Sequence, residues 1–198
     1  AGLSAAAEVK MSGASVVVLE KLSGLGGNTL VSGGGLNIPG TEQQKNLKIE
    51  DSVDLFVEDT LKGGDRINDE KLVRVIGENA LETIDWLVED VDVEFMPDRL
   101  QQFGGHSVPR ALIPKNNTGV ELISKLASFG QGLGVEIKTE TKAEDLILKN
   151  GRVVGVKAIN AGGQELTFNA NKGVIIASGG FGANKELRVK YDSDKDDK

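Results

Sequence analysis

Apolar residues along this chain change period several times, and each change marks an element. Val16, Val17, Val18 and Leu19 form an unbroken apolar run closed by Glu20, so Ser15 to Leu19 predicts a short strand. Ala1 to Lys10, ahead of it, is an alanine-rich helical stretch with Ser12-Gly13-Ala14 as a tight exit. Leu22 to Thr41 shows no period and is rich in glycine, which predicts an irregular loop. Helical spacing returns at Ile49, Val53, Phe56, Val57 and Leu61, and Gly63-Gly64 ends it. A second stripe, Leu72, Ile76, Ala80, Ile84 and Leu87, predicts one long helix capped by Asn68, with Trp86 as core packing.

Further along, Asp90 to Phe95 reads as a short strand ended by Pro97, and Leu100 to Asn117 as an irregular segment. Thr118-Gly119-Val120-Glu121 is a capping box. The helix it starts carries Val120, Ile123, Leu126 and Ala127 on its apolar face, and the series Gly130, Gly132, Gly134 stops it. Val135 to Thr139 alternates as a strand. Asp145 to Lys149, Arg152 to Ile159 and Gln164 to Ala170 predict an antiparallel meander, the first two strands joined by an Asn150-Gly151 turn. Gly173 to Ala177 is apolar enough to predict a fully buried parallel strand, and the stretch from Asp192 is a charged end. The fold class is therefore α/β, Rossmann-like, a parallel sheet with a small antiparallel meander.

An acid at the tip of the strand after a small-residue helix is where the ribose hydroxyls of a dinucleotide find their acceptor. Glu20 holds that place, and Ala1-Gly2 reads as the tail of a phosphate-binding G-x-G-x-x-G. On these residues alone, an ordinary αβ unit with a surface glutamate is an equal reading. In the glycine loop, Leu30, Val31, Leu36 and Ile38 are interleaved apolar residues that a free linker would rarely carry. The loop therefore reads as ligand-lining, its triple glycine letting backbone approach a flat ligand.

Composition narrows the classes further. A 39% hydrophobic content over 198 residues supports one α/β domain or slightly more. The 26 glycines cluster at predicted turns, which fits ligand loops better than disorder. Net charge of −7 and eight aromatic residues speak against a nucleic-acid partner. Thr41 to Asp98 carries 17 acids against six bases, the composition of a solvated helical face. Cysteine is absent and there is one histidine, so no disulfide framework, metal site or haem attachment is written here. No run of eighteen apolar residues is present, and no membrane span is expected.

Gly26-Gly27-Asn28-Thr29-Leu30-Val31-Ser32-Gly33-Gly34-Gly35-Leu36-Asn37 resembles the loop after the second strand in the fumarate reductase/succinate dehydrogenase flavoprotein family, in particular its soluble, flavocytochrome-like branch. Phe103-Gly104-Gly105-His106-Ser107-Val108-Pro109-Arg110, the helix from Gly119, and Val174-Ile175-Ile176-Ala177-Ser178-Gly179-Gly180-Phe181 agree in the same order. The resemblance implies a partial FAD-binding domain over 1–198, its meander at about 143–170, with the first strand, the capping domain and the rest of the FAD domain outside it. It implies FAD as cofactor, held by Ala1, Gly2, Glu20, Lys21, Asn28, Thr29, Gly33, Gly34, Ala143, Ala177, Gly179 and Gly180. Among these, Ala1 and Gly2 would face the pyrophosphate, Glu20 the ribose, and Ala143 the adenine.

The same resemblance places the proton donor and the substrate-clamping residues beyond Lys198, so no catalytic residue is assigned in this chain. His106 is then a local hydrogen-bonding residue, and Arg110 orients a loop. The implied activity is hydride transfer from reduced FAD to an activated double bond in a small dicarboxylate or other enoate, fumarate being the type. Urocanate and ketosteroid substrates are alternatives within the family. A non-catalytic fragment without cofactor and a pyridine-nucleotide dehydrogenase domain are the readings from other classes. A sheet without its first strand would leave edges that invite self-association.

Overall fold

Alanine decides the first element. In the computed structural model, which describes residues 1–191, Gly2–Met11 forms α1, and its buried side chains are Ala6 and Ala7. A face with nothing beyond Cβ brings the helix axis close to its neighbours. Gly13 (φ 79°) turns the chain into β1, Val17–Leu19. The glycine-rich stretch that follows is more regular than its composition predicts. It holds the short helix α2, Gly27–Val31, and the strand β2, Leu36–Asn37. A further short helix, α3, Glu42–Asn46, follows a capping box formed by Thr41 and Gln44.

Helix α4, Val53–Gly63, starts at its Ser52 cap, while Ile49 falls before it and donates its N–H to the Gln44 carbonyl at 2.9 Å. The next stripe divides into α5, Glu70–Glu78, and α6, Ala80–Glu89, with Asn79 between them. Asp69, not Asn68, is the α5 cap, accepting the N–H groups of Lys71 and Leu72. The break changes which face is buried. Leu72 and Ile76, expected inside, are 64% and 61% exposed, while Val73 and Gly77 are buried. Gly77 is the reason. A Cβ there would stand 3.0 Å from Phe56 Cδ1, so the glycine row lets α5 seat on α4.

Strand β3 covers Phe95–Gln101 and contains Pro97, which was expected to end a strand over Asp90 to Phe95. It tolerates the proline because it is the edge of a three-stranded sheet ordered β2, β4, β3, and its register shifts between Phe95 and Leu100. The central strand β4, Ala111–Pro114, is buried throughout, inside a segment predicted to be irregular. Four residues are too few to display a period. Helix α7, Gly119–Gly132, runs through Gly130 and Gly132, and Gly134 (φ 85°) lies just past its end. Its buried positions are Gly119, Leu122, Leu126 and Gly130, whereas Val120 is 45% exposed.

Strand β5, Glu136–Lys138, pairs in parallel with β1, Val17 opposite Glu136 and Leu19 opposite Lys138. The meander is present as β6, Thr141–Lys149, β7, Arg152–Asn160, and β8, Glu165–Asn169. Asn150 (φ 52°) and Gly151 (φ 75°) make the type I′ turn between the first two. Gly173 to Ala177 forms no strand, contrary to expectation, and Ile175 and Ile176 are 63% and 71% exposed. A strand exists only with a ladder partner, and among the described residues β1 pairs with β5 alone. Helix α8, Lys185–Tyr191, closes the described chain, and the charged stretch from Asp192 lies outside the described residues. The main core gathers Ile84, Leu87, Val93, Leu112, Leu122 and Leu126, with Trp86 packed against it edge-on to Phe129.

Candidate cofactor site

The end of β1 is tied to the start of the meander. Glu20 donates its N–H to the Lys138 carbonyl at 2.9 Å, and its own carbonyl accepts the Thr141 N–H at 2.9 Å. The Leu22 carbonyl takes the Glu140 N–H at 3.0 Å. Glu20 Oε1 accepts the Leu22 N–H at 2.9 Å, which fixes the carboxylate over its own turn. Beside it lies a cavity of about 340 Å³ lined by Lys21, Ser23, Lys142, Glu144 and Asn160 among others. Glu20, Lys21 and Ala143 are thus brought to one place, Ala143 being exposed on β6 between Lys142 and Glu144.

Helices α1 and α7 lie side by side and run the same way. Leu3 packs on the cluster that holds Leu122 and Leu126, while Lys10 reaches Gly134, past the other end of α7. Both helix starts therefore face the same end of the domain as Glu20, because β1 follows α1 and β5 follows α7. The start of α1 has no side-chain cap and no acid in its first turn. The dipole of such a helix start favours an anion there. Gly2 meets Ala177: a Cβ on the glycine would stand 3.3 Å from that of Ala177. Gly179 (φ 75°) and Gly180 follow in exposed, irregular backbone.

The third group is α2 and its loop, locked onto the start of α7. Gly119 donates its N–H to the Ser32 carbonyl at 2.8 Å. A Cβ on Gly119 would stand 1.7 Å from the Thr29 carbonyl oxygen. One on Gly34 (φ 70°) would meet Gly119 N at 3.0 Å, and one on Gly35 the Phe103 ring at 3.0 Å. Gly34 and Gly119 are thus required by protein packing before any ligand is considered, and Gly35 sits tightly against the Phe103 ring. Gly33 is different, with only Asn117 Oδ1 at 4.0 Å, and Asn28 and Thr29 are exposed. The packing role of Gly119 was not read from the sequence, and the capping box expected there does not form: Thr118 Oγ1 accepts the Val120 N–H at 3.2 Å, while the Glu121 carboxylate accepts the N–H groups of Glu94 and Asn116.

Behind this loop lies a buried ionic cluster. Arg110, wholly buried, uses Nη2 to reach Asp51 Oδ1 at 2.9 Å and Asp59 Oδ2 at 2.8 Å, with its guanidinium 5.6 Å from the Phe56 ring centre. Asp59 also accepts the Ser107 N–H at 2.9 Å and its hydroxyl at 2.8 Å. Gln44 Nε2 donates to Asp51 Oδ2 at 2.7 Å and to the Pro109 carbonyl at 2.9 Å. Burial alone would raise the Asp59 pKa, but the two Ser107 bonds and the Arg110 charge outweigh it and hold the carboxyl below its usual range. Burial, reinforced by Arg110, pushes His106 below the ordinary imidazole value against the pull of Asp59 and Asp51. The expected hydrogen-bonding role of the His106 ring is not realised at Nδ1, which is buried with no partner among the described residues.

A family model for the FAD binding domain matches residues 1–194. The chain belongs to this family. The cofactor of the domain is FAD, and the residues present fit it: an uncapped helix start with Gly2 at its head, and an acid at the end of β1. This FAD binding domain is 44% identical to a urocanate reductase of Eggerthella lenta over 100% of its length and 33% of that protein's. It is 35% identical to an NADH:fumarate oxidoreductase of Klebsiella pneumoniae, over 99% of its own length and 21% of that protein's. Among solved structures it matches the open conformation of a flavocytochrome c3 fumarate reductase with a TM-score of 0.88 and 33% identity, covering 98% of this chain and 34% of that one. The domain therefore spans about a third or less of the length of these relatives. Among the described residues no helix is long and apolar enough to cross a membrane.

Proposed function

We propose that this chain is the dinucleotide-holding part of a flavoprotein reductase acting on an activated carbon–carbon double bond, fumarate or a related enoate. The observation that carries the reading is the convergence of Glu20, the bare start of α1 and the α2 loop at one end of β1, α1 and α7. In this reading Glu20 accepts the adenosine ribose hydroxyls, with Lys21 beside it, and Ala143 contacts the adenine through backbone. Ala1 and Gly2 bind the pyrophosphate through N–H groups, with Ala177, Gly179 and Gly180 closing over them. Asn28, Thr29, Gly33 and Gly34 line the way to the isoalloxazine. Bound FAD supplies the hydride chemistry, while the protein supplies orientation and electrostatics.

None of these residues donates a proton to substrate, and in this reading the proton donor and substrate clamp lie outside the residues named here. With its pKa held down, His106 is a poor acid at neutral pH. The test is a flavin spectrum of the full-length parent, followed by turnover on fumarate, urocanate, acrylate and a 3-ketosteroid enone with a reduced dye as donor. Reduction of one of these by a flavin-loaded protein is expected. A parent that binds no flavin, or reduces none of the four, overturns the reading.

A further inference from the structure

We propose that Arg110 is a positioning residue for the flavin side of the domain. It sets the loop 103–107 through Asp59 and Ser107, and the loop sets the Gly34-Gly35 backbone through the ring of Phe103. The proposal rests on the reading above, in which Gly33 and Gly34 border the flavin.

As a stability device the cluster is poor. A buried arginine between two buried carboxylates costs desolvation that its ion pairs recover only with good geometry and full hydrogen bonding. Here Arg110 Nε and Nη1 have no partner among the described residues, which adds to the cost. What the cluster does supply is orientation. One nitrogen, Nη2, grips Asp51 before α4 and Asp59 within it, at 2.9 and 2.8 Å. Asp59 is thereby aimed at Ser107, and takes both its N–H and its hydroxyl.

The loop needs that anchor. It contains Gly104 and Gly105, the latter at φ 87°, and has no regular structure of its own. Inside it, Gln102 Nε2 donates to the His106 carbonyl at 2.6 Å, so the Ser107 end and the Phe103 end move together. The Phe103 ring rests directly on Gly35, where a Cβ would lie 3.0 Å from Cζ, and Gly34 is held from the other side by Gly119 and Pro114. The contacts are continuous from Arg110 to the glycine backbone. Displacing a wall of a site by about 1 Å is enough to change function by two orders of magnitude.

The experiment uses the full-length, flavin-loaded parent and a double-mutant cycle of Arg110→Lys and Phe103→Ala, read by FAD dissociation constant and flavin midpoint potential. Each single variant is expected to weaken FAD about tenfold and to shift the potential, and the double variant to do no more than the worse single one. Ser107→Ala, which leaves the arginine and both aspartates in place, serves if Arg110→Lys does not fold, and should weaken FAD at least about threefold. Additive effects on FAD affinity, or an unchanged affinity and potential in Ser107→Ala, overturn the proposal while a yellow wild-type protein leaves the functional reading standing. A colourless wild-type parent removes both.

Discussion

Gly119 offers the sharpest test of how the glycine loop is built. An alanine there would place its Cβ 1.7 Å from the Thr29 carbonyl oxygen and 2.8 Å from the Thr29 carbonyl carbon. Both contacts are to backbone, so no rotamer change relieves them, and α2 must lift from α7. Lifting breaks the 2.8 Å bond from the Gly119 N–H to the Ser32 carbonyl. Overpacking of this kind costs about 1–3 kcal/mol, and a lost buried hydrogen bond about 1 kcal/mol more. For a domain of this size about 1 kcal/mol corresponds to roughly 2–4 °C, so Gly119→Ala should lower the melting temperature of the apo-parent by roughly 5–15 °C. Gly33→Ala is the control, because only Asn117 Oδ1 lies near its Cβ position and its φ is not in the left-handed region. It should leave the apo-protein as stable as wild type and still reduce flavin occupancy, since the added methyl would stand in the cofactor's way. A Gly119→Ala protein that melts with wild type refutes the packing argument. A Gly33→Ala protein with full flavin content refutes the lining role of that residue.

The remaining expectations concern the cofactor, the histidine and the exposed edges. Glu20→Ala in the full-length parent should weaken FAD retention by roughly 1.5–3 kcal/mol, the worth of a hydrogen bond to a charged group, and unchanged flavin after dialysis would remove Glu20 from the ribose. Asn28→Ala should lower flavin occupancy with the apo melting temperature unmoved, because Asn28 is exposed, and a large apo destabilisation would make it structural instead. His106→Ala should keep turnover within a few-fold of wild type, since a proton-transferring group contributes about 100- to 10,000-fold. Folding favours neutral His106, so stability should fall as pH drops below about 6.5; it also favours ionised Asp59, whose contribution is lost as pH falls below about 3.9 through its lower native value. Denaturation against pH checks both, with His106→Ala removing the upper loss and Asp59→Asn the lower. The 198 residues alone should self-associate in sedimentation, through the unpaired β1 edge and the exposed Ile175 and Ile176, and a stable monomer holding stoichiometric FAD would contradict this.

Elements whose signal is local were legible. The Asn150-Gly151 turn, the Thr118 cap and the apolar run before Glu20 each carry their instruction within a few residues. The elements that were not legible depend on partners distant in sequence. Nothing in Leu72 and Ile76 tells that Gly77 will seat α5 by the adjacent row, and four buried residues of β4 cannot announce a period. Val174 to Ala177 shows the converse, apolar sequence that is no strand because no ladder partner stands beside it. Within the site, the acid at the end of β1 and the glycine loop were visible as types at positions. The ionic cluster was not, because Arg110 lies 59 residues from Asp51, and the two aspartates read only as part of a solvated acidic face.

The turn at Asn150-Gly151 has a practical consequence. Its residues are exposed, and so is Lys149, the last residue of β6 beside it. Ala143 and Lys149 are six residue steps apart on β6, about 20 Å at the usual rise per residue. A Lys149→Cys substitution beside the turn, in a chain that has no cysteine of its own, would carry a single dye at that remove from the proposed adenine contact. Energy transfer between that dye and the flavin's own fluorescence would then work as a ruler, reporting whether these 198 residues hold FAD without a catalytic assay.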